Sequence, residues 1–333
     1  MDVFKKRTFS PVLISGIFVL SACGNSSENT SGDEAANFPQ EDLTIVVHTS
    51  AGGPTDLMAR ELASAMESVI EQNVIVENKP GGSGATQMAD VASSNNDGYT
   101  LGAMTPSQIG LINGTLSDQY TINDFDWVSR TQIDPYILVV HDESPFETLG
   151  DLVNYASENP GVLNVGGYGA TGSGHNIAFN ILSESADIVA QWTPYESTGD
   201  AVTAILGQHI DVANSNPGQV SQYVENGELR VLGVMSDERL EDMPDVPTYA
   251  EEGYEVETDW AQFRGIYAPA DTPEEITNAL GDILDEAMQT EGYQQYMDNA
   301  QMLEGAMTPE EFTEYIQSQD ELTNHWYEEL GIE

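Results

Sequence analysis

The chain has 333 residues, with nine Lys and Arg against 56 Asp and Glu, a formal charge of −47, and a single cysteine. Such a field repels nucleic acid and anionic membrane surfaces, and one thiol excludes a disulfide framework. A chain of this length buries a sizeable core and commonly divides into two domains.

At the amino end, Lys5, Lys6 and Arg7 precede an apolar stretch from Phe9 to Ala22 that closes on Leu20-Ser21-Ala22-Cys23. The stretch falls short of the about 20 apolar residues that span a bilayer, and its order, basic then apolar, is that of an export signal. Residues 1–22 are therefore expected to be a lipoprotein signal peptide, cut before Cys23, whose thiol takes a diacylglycerol thioether. An ordinary secretory peptide with a chance cysteine is the plainer alternative. Residues 23–40 read as the lipidated cysteine and a disordered tether, because Gly24 to Ala36 is rich in Ser, Asn, Gly and acids. The expected location is the outer, extracytoplasmic face of the cell membrane, held there by lipid. Removing residues 1–22 leaves six cations against 55 acids, a charge of −49, with Lys79 the one lysine. Solubility needs far less charge, which argues for a cell in high salt or at alkaline pH.

The apolar run from Leu43 to Val47 ends in His48-Thr49-Ser50-Ala51-Gly52-Gly53-Pro54-Thr55-Asp56, after which Leu57, Leu62, Ala63, Met66, Val69 and Ile70 recur at helical spacing. The pattern predicts strand, glycine loop, helix. A second strand at Val74–Val76 leads through Asn78-Lys79-Pro80-Gly81-Gly82-Ser83-Gly84 to a helix at Ala85–Ser93, and a third strand at Tyr99–Met104 precedes Thr105-Pro106-Ser107. After the polar passage Asp124 to Trp127 the alternation resumes. Strands are expected at Tyr136–Val140, Leu163–Val165, Ile188–Trp192, Ile210–Ala213 and Val231–Val234, and helices at Leu149–Ser157 and Asp200–Leu206. A strand at Gly265–Ala268 precedes two or three helices, the first opening on Thr272-Pro273-Glu274-Glu275 with Thr272 as N-cap, and the tail repeats that signature at Thr308-Pro309-Glu310-Glu311. Two α/β units with parallel sheets flanked by helices, joined by crossing strands, are the economical reading.

A glycine turn between a strand and a helix leaves backbone N–H groups unpaired at the positive end of the helix dipole, which makes it an anion site. Loops of this kind occur at Gly52–Asp56, Gly81–Gly84, Thr105–Ser107, Gly172–His175 and Ser197–Asp200. Each could equally be a tight turn. Gly167-Tyr168-Gly169-Ala170-Thr171-Gly172 formally fits the dinucleotide fingerprint, but the acid it would need, Asp187, precedes its strand instead of ending it. No Walker A lysine and no Gly-x-Ser-x-Gly elbow occur, and the five histidines form no metal spacing, so neither cofactor nor metal is expected. Ser173 and His175 lack an identifiable third group to make them nucleophile and base. With few cations available, the ligand-holding residues are expected to be Thr55, Asp56, Thr105, Ser173, His175 and Tyr195, the backbone of Gly53 and Gly172 donating to a carboxylate. Asp56 has two possible roles, holding a loop N–H or binding a ligand ammonium.

In this order, Ala51-Gly52-Gly53-Pro54-Thr55-Asp56 with Ala59-Arg60, Glu77-Asn78-Lys79-Pro80-Gly81, Asp97-Gly98-Tyr99, Asn159-Pro160-Gly161, Gly172-Ser173-Gly174-His175, Pro194-Tyr195, Pro244-Asp245-Val246-Pro247-Thr248 and Ala268-Pro269 with Thr272-Pro273 resemble the binding subunits of tripartite tricarboxylate transporters, often called Bug receptors. The likeness runs from about Leu43 to Ile332. It implies a two-lobed periplasmic-binding-protein-like fold of type II, with lobe one at 41–130 plus 262–333 and lobe two at 131–261. It further implies a monomer that is not an enzyme, that closes on a small organic acid or amino acid and that delivers it to membrane permease subunits. Pro54 stands for a usual third glycine and Glu196 for a usual lysine, so the identity of the acid is not carried over. An extracellular α/β enzyme and a ligand sensor for a signalling partner are the competing functions.

Overall fold

The computed structural model describes residues 37–332. The expected signal peptide, Cys23 and most of the expected tether lie outside the described residues.

The chain begins with β1 (Leu43–Val47), α1 (Pro54–Val69), β2 (Val74–Asn78), α2 (Ala85–Ala92), β3 (Thr100–Met104), α3 (Pro106–Asn113) and β4 (Phe125–Asp134). A middle section follows with β5 (Tyr136–His141), α4 (Leu149–Glu158), β6 (Asn164–Tyr168), α5 (Gly174–Ser185), β7 (Gln191–Tyr195), α6 (Thr198–Leu206), β8 (Val212–Ser215), α7 (Pro217–Glu225) and β9 (Leu229–Met235). The last section holds β10 (Gln262–Pro269), α8 (Glu274–Met288), α9 (Glu291–Ala300), β11 (Leu303–Glu304) and α10 (Pro309–Leu330).

These strands make two sheets, ordered β11-β4-β10-β3-β1-β2 and β7-β6-β8-β5-β9. Within the first, β2 and β3 flank β1 in parallel, while β10 runs antiparallel to both β3 and β4. Within the second, β7 and β8 flank β6 in parallel and β5 runs antiparallel to β8 and β9. Strand directions then fix which edges meet. The carboxyl ends of β1, β3 and β4 share an edge with the start of β10, and the carboxyl ends of β6, β7, β8 and β9 share one with the start of β5. The chain passes between the sheets only through Asp134–Tyr136 and the segment from β9 to β10, so the glycine loops of both sheets gather at the crossings. Ligands of open α/β sheets bind at such carboxyl edges.

Both sheets are mixed where mostly parallel ones were expected, because the crossing strands β4, β5, β9 and β10 pair antiparallel, and each sheet is covered on both faces. The first is packed by Met58, Leu62 and Leu280 on one face and by Ile109, Phe312 and Ile316 on the other. The second is packed by Leu149, Leu152 and Leu182 on one face and by Val202, Ile205 and Val220 on the other. Helix α10 joins the two. Phe312 and Ile316 near its start sit in the first lobe's core, whereas Trp326 near its end is buried in the second's, beside Leu322 and Tyr327.

Three elements differ from their expected form. The polar passage after Asp124 is a ten-residue strand, because it lies inside the sheet with β10 on one side and β11 on the other. The strand expected at 188–192 runs from Gln191 to Tyr195, since Asp187 takes a left-handed turn (φ 50°) and the parallel register begins at Asn164 opposite Gln191. Thr272 does not cap α8. Its hydroxyl donates to the Pro269 carbonyl and its N–H to Asp126, leaving Pro273 at the cap.

Candidate ligand site

The first loop is braced from below by Asp56, which is almost wholly buried. One carboxylate oxygen accepts from the Gly52 N–H (2.8 Å) and Arg60 Nε (3.0 Å), and the other from Asn78 Nδ2 and Arg60 Nη2, both at 2.8 Å. Burial alone would raise its pKa; the hydrogen bonds from Arg60, Gly52 and Asn78 outweigh it and hold the group down at about 2. Asn78 also donates to the Thr49 carbonyl at 3.0 Å. Of the two roles expected for Asp56, its bonds show the loop-holding one. The loop N–H of Gly53, expected as a ligand donor, donates to the Ser50 carbonyl (3.1 Å) in this conformation. Helix α1 itself starts with no side-chain cap. A helix's first N–H groups have no intrahelical acceptor, so those of the buried Thr55 and of Asp56 carry the open donor positions here.

The second loop is arranged differently. Ser173 caps α5: its hydroxyl accepts from the Asn176 N–H (3.3 Å) and donates to the Tyr168 carbonyl (2.9 Å). The Gly172 N–H, also expected to face a ligand, donates to Asn176 Oδ1 at 2.9 Å. His175 is buried, with Nδ1 3.1 Å from Asn214 Oδ1 and 3.2 Å from its carbonyl, and its ring meets Tyr136 edge-on at 4.9 Å and Tyr168 at 6.1 Å. Burial lowers its pKa to about 4 despite the Asn214 bonds, so the imidazole is neutral at pH 7.

The profile of the tripartite tricarboxylate transporter family receptor matches residues 58–332, from just past the first loop through the second. The chain belongs to this family. A curated relative, a protein of the gbd 5′ region of Cupriavidus necator, is 28% identical over 299 residues, 90% of each chain. The solved structure of a solute-binding protein from Polaromonas is similar with a TM-score of 0.78 at 25% identity, covering 88% of this chain and 99% of that one. An R. palustris protein solved with adipate gives a TM-score of 0.72 at 23% identity, covering 89% and 99%.

The receptor's other expected residues fall at the same edge with internal tasks. Thr105 closes a capping box on α3, its Oγ1 2.6 Å from Ser107 Oγ and its N–H donating to Gln108 Oε1. Tyr195 ends β7 with its ring against Gly166, where a Cβ would lie 2.8 Å from it. Ser173 and His175 therefore sit together near Tyr168 and Asn214, with Gly53, Thr55 and Asp56 on the opposite lobe. Asn78 and Tyr168 lie inside motifs legible in the sequence, whereas Asn214 and Arg264 carry no signal there of a place at the site. Asn216, at the carboxyl end of β8, donates from Nδ2 to the Asp134 and Pro135 carbonyls, both at 3.1 Å, tying the second lobe to the crossing. A depression of about 560 Å³ lined by Phe38, Gln40, Ile70 and Gln72 lies at the other end of β1 and β2, away from these loops.

Proposed function

We propose that this receptor binds a small carboxylate between its lobes and releases it to membrane permease subunits, while held by a lipid on Cys23 at the outer face of the membrane. The observation that carries the binding step is the uncapped start of α1 beneath a loop braced by Asp56. N–H groups there meet an anion with the helix dipole in favour and without any cation. The adipate bound to the R. palustris neighbour supports the ligand class. Among the described residues no helix is long and apolar enough to cross a membrane. The lobes are read about the two sheets, with the first boundary moved from 130 to the end of β4 at Asp134, because that strand stays paired with β10 to its last residue, and the protein is read as closing as a monomer about the crossings.

Binding without turnover is the preferred reading over an enzyme. The Ser173 hydroxyl is bonded to Tyr168 and Asn176 and not to His175, whose Nδ1 is held by Asn214, so no nucleophile, base and orienter are linked here. Calorimetry against a panel of amino acids, monocarboxylates, dicarboxylates and citrate tests the assignment; binding of none of them would remove it. The acidic surface is read as an adaptation to salt, and melting temperature should climb from low to molar chloride as counterions screen self-repulsion. A flat or falling curve would contradict that reading.

A further inference from the structure

All six cations among residues 37–332 have a place in the packing, and five have visible partners. Arg60 pairs with Asp56, Lys79 with Glu77 and Asp90, Arg230 with Asp142, and Arg239 with Glu251. Arg130 donates to the Gly305 carbonyl and lies over the Tyr315 ring. Arg264 is the exception. Only 5% exposed, it presents Nε and Nη1 without a hydrogen-bond partner among the described residues. Leaving a buried guanidinium unpaired is among the costliest arrangements a fold can keep.

Its position explains what it is for. Arg264 stands third in β10, at the cleft end of the first sheet, directly opposite Gln132 and diagonal to Asp134 on β4. Its charge acts on His48, Asp134, Tyr293 and Tyr296, so these surround it. Several of their polar atoms are also buried without partners: His48 Nδ1, Gln132 Nε2 and Asp134 Oδ1. Thr49 Oγ1 is unpartnered too, and it lies 3.2 Å from where a Cβ of Gly53 would stand. The unpartnered groups thus lie on residues around Arg264 and on Thr49, which follows His48 in the chain and borders the first glycine loop. Asp134 is an acid on which the guanidinium acts directly. Burial raises that carboxyl to about 6 against the pull of Arg264, which leaves it mostly ionised at pH 7, so an incoming anion has to compete with it for the guanidinium.

We propose that Arg264 is a second anion-binding point in the cleft floor and receives the far carboxylate of a dicarboxylate whose near carboxylate sits at the start of α1. This rests on the carboxylate reading above. It makes Arg264 a specificity residue: a monocarboxylate would leave the guanidinium unpaired, whereas a dicarboxylate of matching length would satisfy it. Arginine suits the task because its fork of donors grips a carboxylate at two points.

The test is calorimetry of the full mature protein with paired ligands, four- to six-carbon dicarboxylates against monocarboxylates of the same length, at fixed ionic strength. Wild type should prefer one of the dicarboxylates by about tenfold or more, the factor that a charge-assisted hydrogen bond supplies. In Arg264→Gln that preference should collapse to within about twofold, and Arg264→Lys, which keeps the charge, should retain part of it. The wild-type ratio stands even if a variant fails to fold. Monocarboxylates binding as well as dicarboxylates would overturn the inference while leaving the carboxylate reading intact. Binding of no carboxylate would overturn both. Chloride stabilising wild type but not Arg264→Gln, with no dicarboxylate preference, would make this a halide site and also overturn it.

Discussion

The two glycine loops sit at equivalent edges of their sheets, yet they handle their helix starts in opposite ways. In the first lobe a carboxylate, Asp56, holds the loop from beneath while α1 goes uncapped. In the second a hydroxyl, Ser173, caps α5, and the neutral His175 is locked to Asn214 behind it. Asp56, in the first turn of α1, spends its carboxylate on the preceding loop and Arg60 and leaves the helix's first donors uncapped, whereas Ser173 spends its hydroxyl on a helix N–H. Under the proposed function the first loop is thus the element that would face the anion, and the second the wall that would close on it.

Removing each brace should separate these roles. His175 carries the largest expected effect. Its folded pKa near 4 lies below the ordinary 6.5, so the neutral form is the stable one; its contribution is complete above pH 6.5 and is lost as pH falls towards 4. That is about 3 kcal/mol, on the order of 1.4 kcal/mol per pKa unit. Chemical denaturation of wild type and His175→Gln across this range should show a steeper decline in the wild type, over and above the decline His48 imposes on both. Equal slopes would mean His175 is not held neutral.

Asp56 comes next, and its window is lower. A carboxyl held near 2 stabilises the fold above pH 4 and loses that contribution as pH drops towards 2, about 2 kcal/mol in all. Asp56→Asn should therefore destabilise at pH 7 by a similar amount and weaken ligand binding through a loosened loop. An unaltered unfolding midpoint in urea would break the comparison at its root.

Gly172 tests the wall. Its φ of 86° is left-handed, and a Cβ there would stand 2.3 Å from Ile332 Cδ1. Gly172→Ala should cost about 1–2 kcal/mol, and adding Ile332→Ala should recover the steric part alone. No recovery in the double variant would locate the whole cost in the backbone. The smallest effect belongs to Ser173→Ala, about 1 kcal/mol for a lost N-cap, with affinity changed less than in Asp56→Asn. If the affinities fell in the reverse order, Ser173 and not the first loop would be the principal ligand contact.

The alternation of apolar runs and glycine loops made the two-sheet architecture legible, because strand and helix periods are local. What lay beyond reach was set by partners distant in sequence. Thr272-Pro273-Glu274-Glu275 and Thr308-Pro309-Glu310-Glu311 are the same four residues, yet only Thr308 forms the capping box. Thr272 is drawn away by Pro269 and Asp126, the latter 146 positions earlier. Gly53 and Gly172 could be recognised as turn residues but not as donors already engaged, since their acceptors, Ser50 and Asn176, depend on the turn's shape. Arg264 carried no signal, because an arginine between Phe263 and Gly265 reads as an ordinary strand residue until its burial is seen.

Helix α10 has a mechanical consequence. Its 22 residues form a rod about 33 Å long, seated by Phe312 and Ile316 in one lobe and by Trp326 in the other. Tyr315, within the first seat, and Gln319, between the two, hold the Asp259 carbonyl of the returning segment just before β10, at 2.9 and 3.1 Å. The sheets are thus linked by two covalent crossings and one non-covalent strut. A rod seated in both sheets couples them mechanically: any displacement of one sheet against the other must re-seat Phe312 and Ile316 at one end or Trp326 at the other.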